Sequence, residues 1–307
     1  MSDCVFINNS VNIDGVNLIG VGGGAVYWNG VNGELTGCVF IGNSVNFTGT
    51  NLTYMGGGAV YWNGTGGKLS DSNFMDNCAS DSAVNSNHRG GGAVWWFGND
   101  GILTNCTFIN NTAKFGGAIR WFGAKGTLNN SYFTKNNGEG GAVNWNGVNG
   151  TLTGSTFINN TSPNHGGAVY WYIDNGTLTN CTFINNTATT NGGAVYWVGV
   201  NGTVIGSDFT GNMAISGYGG GVFWSSANGT LTSSNFTGNT AIKRRGGGVS
   251  WHGIKGELSN SNFIDNIADL GGGIYWNADN GKLSNSTFIN NKNKFKICHS
   301  YHNKSNI

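Results

Sequence analysis

Aromatic side chains flank a repeated tryptophan along this chain, and their types and spacing suit contact with sugars. The aromatic residue stands directly before or directly after the tryptophan in most repeats: Tyr27, Tyr61, Trp95, Phe97, Phe122, Tyr170, Tyr172, Tyr196, Phe223 and Tyr275. Asparagines such as Asn29 and Asn144 occupy the same positions in other repeats. Ring faces stack on the C–H surfaces of a pyranose, and amides bond to its hydroxyl groups. We therefore expect these residues to contact a glycan or, alternatively, to pack across neighbouring strands and only stiffen a sheet.

The residue two positions before this outer aromatic position is small in every repeat. It is alanine in most repeats, as at Ala25 and Ala59, and glycine in the last three. This pattern predicts a shallow trough beside the rings.

The tryptophans belong to a repeat that must position these side chains. Ten times a tryptophan is followed after twelve residues by a phenylalanine, from Trp28 and Phe40 to Trp276 and Phe288. Successive phenylalanines from Phe6 are 34, 34, 34, 25, 24, 26, 26, 27, 27 and 25 residues apart, so the length varies between each phenylalanine and the next tryptophan. A constant segment thus alternates with a variable loop, as in proteins whose repeats stack on one another.

Apolar residues alternate within the constant segment, which predicts strands. Val169 and Trp171 share one strand face, Leu178 stands on a second strand, and Phe183 is on a third. Three short strands and their glycine-rich corners form one turn of a parallel β-solenoid. We predict an all-β, single-stranded parallel β-helix of about 10 to 11 coils, right-handed by the general preference of crossover connections. The Val, Trp, Leu and Phe columns should line its core.

An asparagine stands three residues after every phenylalanine of the repeat. The set is Asn9, Asn43, Asn77, Asn111, Asn136, Asn160, Asn186, Asn212, Asn239, Asn266 and Asn291. When the same asparagine recurs in every coil, each side-chain amide can donate a hydrogen bond to one neighbouring coil and accept one from the other. We therefore predict an inward structural asparagine ladder rather than a row of surface turns.

The repeat also predicts where the domain ends and where its loops lie. We expect the β-helix to span residues 1–291, with a partial first coil, and residues 292–307 to form a tail outside the repeat. Three long segments, residues 10–21, 44–55 and 78–89, leave from one corner. They should stack as lateral loops, which either carry recognition or are neutral insertions.

Four cysteines occupy a column that other repeats fill with serine. These are Cys4, Cys38, Cys106 and Cys181, two residues before the phenylalanine, whereas Cys78 falls in a predicted loop and Cys298 in the tail. Adjacent coils are spaced a little too far apart for easy bridging. We therefore interpret all six as thiols.

Composition and charge bear on whether the chain binds nucleic acid, acidic membranes, metals or cofactors. Only 9% of the residues are charged and the net charge is +1, which argues against nucleic acid or acidic membranes as a partner. The five histidines show no metal-ligand spacing, so we predict no metal and no cofactor. The basic run Lys243, Arg244 and Arg245 is expected to be a solvated corner.

Two other functions remain as alternatives. Polysaccharide-degrading β-helices need clustered carboxylates on an outward strand face, and the outward positions beside each tryptophan carry none. We therefore predict no enzyme activity, with a lyase or glycosidase as the alternative. Outward threonine pairs such as Thr177 and Thr179 resemble the faces of ice-binding solenoids, but Ile205, Glu257 and Lys282 interrupt the array.

The GGA segment followed by Val or Ile, paired with FxxN, resembles the repeat of the bacterial polymorphic outer-membrane proteins. The Asn- and Thr-rich coils look like those of adhesin-like surface proteins of methane-producing archaea. The resemblance covers residues 4–291. It implies a secreted, pectin-lyase-like β-helix used for surface display and adhesion, usually within a much longer polypeptide.

This resemblance implies an extracellular or cell-surface location. The partner would be a surface glycan or protein of another cell, or further coils of the same polypeptide. We recognise no signal peptide, transmembrane stretch or wall-sorting segment, and expect no direct membrane insertion of this segment. Since Cys4, Val5 and Phe6 match the third strand of the repeat, we expect a fragment of a larger protein.

Overall fold

Four parallel β-sheets run the length of the molecule and enclose one core. The computed structural model describes residues 1–83 and 87–294. We name the four sheets by their position in the repeat. The phenylalanine sheet comprises Val5–Ile7, Val39–Ile41, Asn73–Met75, Thr107–Ile109, Tyr132–Thr134, Thr156–Ile158, Thr182–Ile184, Asp208–Thr210, Asn235–Thr237, Asn262–Ile264 and Thr287–Ile289. The corner sheet comprises Ser10–Ile13, Ser44–Phe47, Cys78–Asp81, Thr112–Phe115, Asn137–Glu139, Thr161–Ser162, Thr187–Ala188, Met213–Ala214, Thr240–Ala241, Ile267–Ala268 and Lys292–Asn293.

The other two sheets complete each coil. The tryptophan sheet comprises Val26–Trp28, Val60–Trp62, Val94–Trp96, Ile119–Trp121, Val143–Trp145, Val169–Trp171, Val195–Trp197, Val222–Trp224, Val249–Trp251 and Ile274–Trp276. The leucine sheet comprises Glu34–Thr36, Lys68–Ser70, Ile102–Thr104, Thr127–Asn129, Thr151–Thr153, Thr177–Thr179, Thr203–Ile205, Thr230–Thr232, Glu257–Ser259 and Lys282–Ser284. Each residue pairs with the same column of the next coil, as Phe157 does with Phe183.

Each coil has four strands, so the expectation of three was wrong. The additional strand follows the ladder asparagine and is only two residues long in most later coils, as at Thr187–Ala188. The backbone N–H of Thr187 donates to the Asn160 carbonyl of the preceding coil at 2.9 Å. Two residues cannot display an alternating apolar pattern, which is why the periodicity missed this strand.

The core consists of stacked columns of identical side chains. The Phe183 ring lies 4.9 Å from Phe157 and 4.8 Å from Phe209, and the Trp171 ring lies 4.7 Å from Trp197. These rings are fully buried. Offset stacking adds about 0.5 to 1.5 kcal/mol per pair beyond the burial of apolar area.

The small residue at the start of each tryptophan strand points into this core. Ala168 and Ala194 are fully buried. At Gly221, which replaces alanine in that column, an added Cβ would lie 3.0 Å from the Phe236 ring. The predicted trough beside the outer rings was therefore wrong, because the backbone turns at the preceding glycines and directs this column inward.

A glycine five residues after each tryptophan lets the chain cross the edge of the indole ring. At Gly176 an added Cβ would lie 2.1 Å from the Nε1 atom of Trp171. Real Cβ atoms do not approach so closely, and the indole is held between its stacked neighbours. Glycine is thus required here for close approach.

The asparagine column forms a continuous hydrogen-bonded ladder. The side-chain amide of Asn186 donates to Oδ1 of Asn212 at 3.0 Å and to the Phe157 carbonyl at 2.9 Å. Its own Oδ1 accepts from the backbone N–H and the side-chain amide of Asn160, both at 3.0 Å. The ladder asparagines from Asn43 to Asn266 are fully buried, while Asn9 is exposed and Asn291 is partly exposed.

The cysteine and serine column forms a second ladder. Oγ of Ser155 accepts from the backbone N–H of Ser131 at 3.1 Å and donates to the Thr153 carbonyl. Sulfur and oxygen both satisfy this geometry, since the Cys181 thiol donates to the Thr179 carbonyl at 3.3 Å. The cysteines at positions 4, 38, 78, 106 and 181 are free thiols, and Cys298 lies outside the described residues.

The three long segments are more regular than the predicted loops. Their first residues belong to the corner sheet, and Cys78 starts a strand there. Further along, Val16 bridges to Thr50 and Ile19 to Thr53, and Thr53–Gly56 pairs with Asn87–Gly90. A small separate hydrophobic core holds this lateral flap together: Ile13, Val45, Phe47, Leu52, Met55, Ala79 and Ala113. Residues 84–86 lie outside the described residues.

Strand pairing reaches almost to the predicted start of the repeat and extends past its predicted end. Ser2 bridges to Thr36, the last residue of the first leucine-sheet strand, so pairing begins before the third strand of a coil. At the other end, Lys292–Asn293 continues the corner sheet beyond the predicted boundary at residue 291. The predicted tail from residue 295 onward lies outside the described residues.

Candidate functional site

The outer face of the tryptophan sheet carries the predicted aromatic residues, but three of them are covered. Tyr61 is 1% exposed, Trp95 is 0% exposed and Phe223 is 8% exposed. The lateral flap covers the first two, and the Tyr61 hydroxyl donates to the Tyr54 carbonyl in that flap at 3.3 Å. Tyr218 lies beside Phe223. The prediction that these three contact a ligand was therefore wrong, because segments from other parts of the coil fold over them.

The remaining predicted residues are accessible to different extents. Tyr27 is 49% exposed at one end of the sheet, and Tyr275 is partly exposed at the other end. Phe97 is 38% exposed, and Tyr54 packs against its ring edge-on at 5.5 Å. Tyr196 is stacked under His165 at 4.4 Å. These contacts spread the aromatic column over several local environments rather than one continuous strip.

Midway along this face lies a hollow of about 300 Å³, here called the central hollow. It brings together Phe115, Arg120, Glu139, Asn144, Asn146, Tyr170 and Tyr172. Phe122 borders it through its contact with the Arg120 guanidinium, 5.0 Å from the ring centre. Of the predicted ligand-binding residues, Tyr170 and Tyr172 thus line this hollow.

The sequence of one coil explains why the face is depressed here. The interval from Phe133 to Phe157 is 24 residues, the shortest in the chain. The pairing of its corner strand with the preceding coil shifts register between Thr112 and Phe115, which marks a bulge. Bulges redirect side chains and are frequent beside functional sites. The coil also presents the short side chains of Asn144 and Asn146 between rows of larger residues.

Arg120 places a positive charge against the aromatic wall of the central hollow. Its guanidinium lies 4.4 Å from the centre of the Phe115 ring, and the residue is 5% exposed. Burial lowers the pKa of Arg120 to about 9, against the opposing effect of the Glu139 charge. A guanidinium with that pKa is protonated at neutral pH.

Glu139 supplies the carboxylate of the central hollow. Burial raises its pKa above the ordinary value, while the charge of Arg120 and a hydrogen bond from Asn164 oppose the change. The Asn164 amide donates to Glu139 Oε1 at 3.1 Å. A half-buried carboxyl group held in this way can accept hydrogen bonds from hydroxyl groups.

Amide and phenol groups are the other polar groups that line the central hollow. The Asn146 amide donates to Oδ1 of Asn144, whose own amide donates to the Glu139 carbonyl at 3.4 Å. Tyr172 is 50% exposed and meets Tyr170 edge-on at 5.8 Å. An exposed ring beside amides and a carboxyl group can bind a polyhydroxylated ring.

Sequence reasoning missed Phe115 and Glu139. Both stand directly before the glycine pair that precedes a tryptophan strand, and the structure folds this position back beside the outer column. The same position holds His165, Tyr218 and Arg245 in later coils. Its constant distance from the tryptophan strand was a usable signal, but the position lies in the segment of variable length and was interpreted as loop.

The four stacked sheets define the class of protein as a parallel β-helix repeat protein. In comparison with family models, residues 42–236 match the family described as right-handed beta helix region, and the chain belongs to that family. The helix is therefore right-handed, and the central hollow lies inside the matched region. No curated protein matches the chain.

The part of the chain that the structure describes contains no helix that is long and apolar enough to cross a membrane. Within the same residues, no group of three or more His, Cys, Asp or Glu side chains is arranged to hold a metal ion.

Proposed function

We propose that this chain is a non-enzymatic, adhesin-like β-helix segment that acts outside the cell or at its surface and binds a glycan through the central hollow. Such a role agrees with the resemblance to polymorphic outer-membrane repeats and to adhesin-like proteins of methane-producing archaea. The observation that carries the proposal is the exposed Tyr172 ring beside Asn144, Asn146 and Glu139. The partner would be a glycan on another cell.

The composition of the hollow supports a sugar over a purely apolar ligand. One face offers aromatic rings, as sugar-binding sites do, and the other offers amide and carboxyl groups that can pair with hydroxyls. The Arg120 and Glu139 charges have opposite sign, so the hollow presents little net charge at neutral pH. We therefore expect the sugar unit bound there to be neutral.

Tyr172→Ala should weaken glycan binding without unfolding the protein. Loss of one stacking contact worth about 0.5 to 1.5 kcal/mol corresponds to an increase in Kd of about two- to twelvefold. A glycan array would identify ligands of the wild type, and titration calorimetry would then compare the variants.

Tyr132→Ala is the matched control, because Tyr132 is an exposed tyrosine on the phenylalanine sheet, away from the hollow. It should bind like the wild type. Equal loss of binding in both variants, or in neither, would contradict the assignment of the hollow.

One observation favours the alternative of a polysaccharide-degrading enzyme. Burial raises the pKa of Glu139 against the opposing charge of Arg120, and a carboxyl group with a raised pKa suits a general acid. Glycoside hydrolysis uses two carboxyl groups, whereas Glu139 is the carboxyl group among the residues that line the hollow.

We expect no cleavage of polysaccharides by the wild type, measured as reducing ends and as unsaturated products that absorb in the ultraviolet. Glu139→Gln should accordingly change binding only. Product release by the wild type that disappears in Glu139→Gln would establish the enzyme instead.

A further inference from the structure

The basic run Lys243, Arg244 and Arg245 does not simply extend into solvent. The Arg244 guanidinium lies 5.7 Å from the Tyr218 ring centre, and that of Arg245 lies 4.7 Å from the Tyr275 ring centre. Tyr275 lies on the outer side of the tryptophan sheet, and Tyr218 packs beside Phe223 on that same side. Arg245 is half-buried against the face that also carries the central hollow, so the expectation of a solvated corner was wrong for this residue, whereas Lys243 and Arg244 are exposed.

These three cations have no carboxylate partner in the part of the chain that the structure describes. The ion pairs there join Lys68 to Glu34, Lys114 to Asp81 and Lys282 to Glu257. Asp269 approaches the run through its backbone, whose N–H donates to the Arg244 carbonyl at 2.8 Å. Lys243 and Arg244 are exposed and Arg245 is half-buried, so the run leaves a concentrated positive charge at the surface.

A polar network holds Arg245 in place and leaves donors available. Arg245 donates one hydrogen bond, from Nη1 to the Tyr275 hydroxyl, which in turn donates to Asn277 Oδ1 at 3.2 Å. Since a guanidinium has five N–H donors, most of them remain for a ligand.

His252 lies in the same group. Its Nε2 is 3.0 Å from the Ser250 hydroxyl. Ser250 is fully buried, so this serine and histidine pair positions the ring rather than forming a nucleophile.

We propose that Lys243, Arg244 and Arg245, with His252 and Tyr275, form a cationic subsite that binds the carboxylate or sulfate group of an acidic glycan. Arginine presents paired N–H donors that match both anions. In the tryptophan sheet the coil of Ser250 lies three coils from that of Tyr170, about 14 Å along the axis. An extended glycan can therefore contact the central hollow and the cationic subsite together. This inference rests on the proposed glycan binding and adds the ligand class.

Three forms of one polysaccharide test the proposal: dextran, carboxymethyl-dextran and dextran sulfate. Retention of the whole chain on each immobilised polymer is measured between low and high salt. The charged polymers should retain the wild type at least about tenfold more strongly than dextran at low salt, with the difference falling as salt rises. The two charged arms show whether a carboxylate or a sulfate is preferred.

Arg244→Gln with Arg245→Gln should abolish that preference. The matched control is Lys125→Gln with Lys135→Gln, which removes the same charge from two exposed lysines elsewhere. Equal loss in both double variants, no preference in the wild type, or stronger retention by a single-stranded oligonucleotide would each overturn the proposal. Tyr172→Ala reports on the central hollow separately: an unchanged affinity for its array ligand refutes the hollow, whatever the charged polymers show.

Discussion

Phe183→Ala is expected to lower the free energy of unfolding by about 3 to 5 kcal/mol. The Phe183 ring is fully buried in the middle of the phenylalanine column and stacks on a neighbour at either side. Its removal leaves a cavity that the coils cannot close, because their spacing is fixed by backbone hydrogen bonds along all four sheets. Urea titration followed by far-ultraviolet circular dichroism measures the change.

Ile184→Thr is the control for this prediction. Ile184 lies on the outer side of the same strand, and its partner in the next coil is already a threonine, Thr210. We expect a change of less than about 1 kcal/mol, as for surface substitutions in general. If Phe183→Ala were as mild as this control, the stacked column would not be a principal source of stability.

Asn186→Ala is expected to cost at least about 1 to 3 kcal/mol, the penalty for a buried polar group that loses its partner. The change removes the acceptor for both amide groups of Asn160 and the donor to the Phe157 carbonyl. Water cannot replace these bonds, because the ladder is fully buried at this point. The backbone amide of Asn160 should also exchange its hydrogen faster, which mass spectrometry after deuterium labelling can measure.

Asn185→Gly is the control, because it also removes an asparagine side chain from this corner but leaves the ladder intact. Asn185 is exposed and has a left-handed backbone with φ of 53°, and the equivalent position of the next coil is Gly211. Glycine adopts that conformation without strain, so stability should change little. A neutral Asn186→Ala variant would show that the ladder hydrogen bonds contribute nothing net.

The sequence alone was sufficient for the fold class and for the inward Val, Trp, Leu, Phe and Asn columns, but not for the inward column of small residues. A column such as Trp171 and Trp197, or Asn186 and Asn212, repeats because parallel coils place identical residues directly above one another. Stacking and ladder hydrogen bonds are satisfied only by repetition of the same chemistry. A column that keeps the same residue type in successive coils is therefore predicted to lie in the core.

The pattern of residue types did not predict the fourth strand of each coil. A strand such as Thr161–Ser162 pairs through backbone groups alone, and backbone pairing does not constrain residue type. The predicted end of the repeat at residue 291 was wrong for the same reason. Lys292 and Asn293 pair with the preceding corner strand although their residue types differ from those of that strand.

Only the tertiary structure decided which outer residues are accessible. Tyr61 and Tyr172 occupy neighbouring positions in the repeat, yet one is covered by the lateral flap and the other is half exposed. The central hollow likewise depends on one short coil and a shift in register, which bring Glu139 beside Arg120 and Tyr170. The physical reason is that outer columns are not bound to a single packing partner. Their environment is set by the variable segments of adjacent coils, and those segments differ in length and sequence from coil to coil.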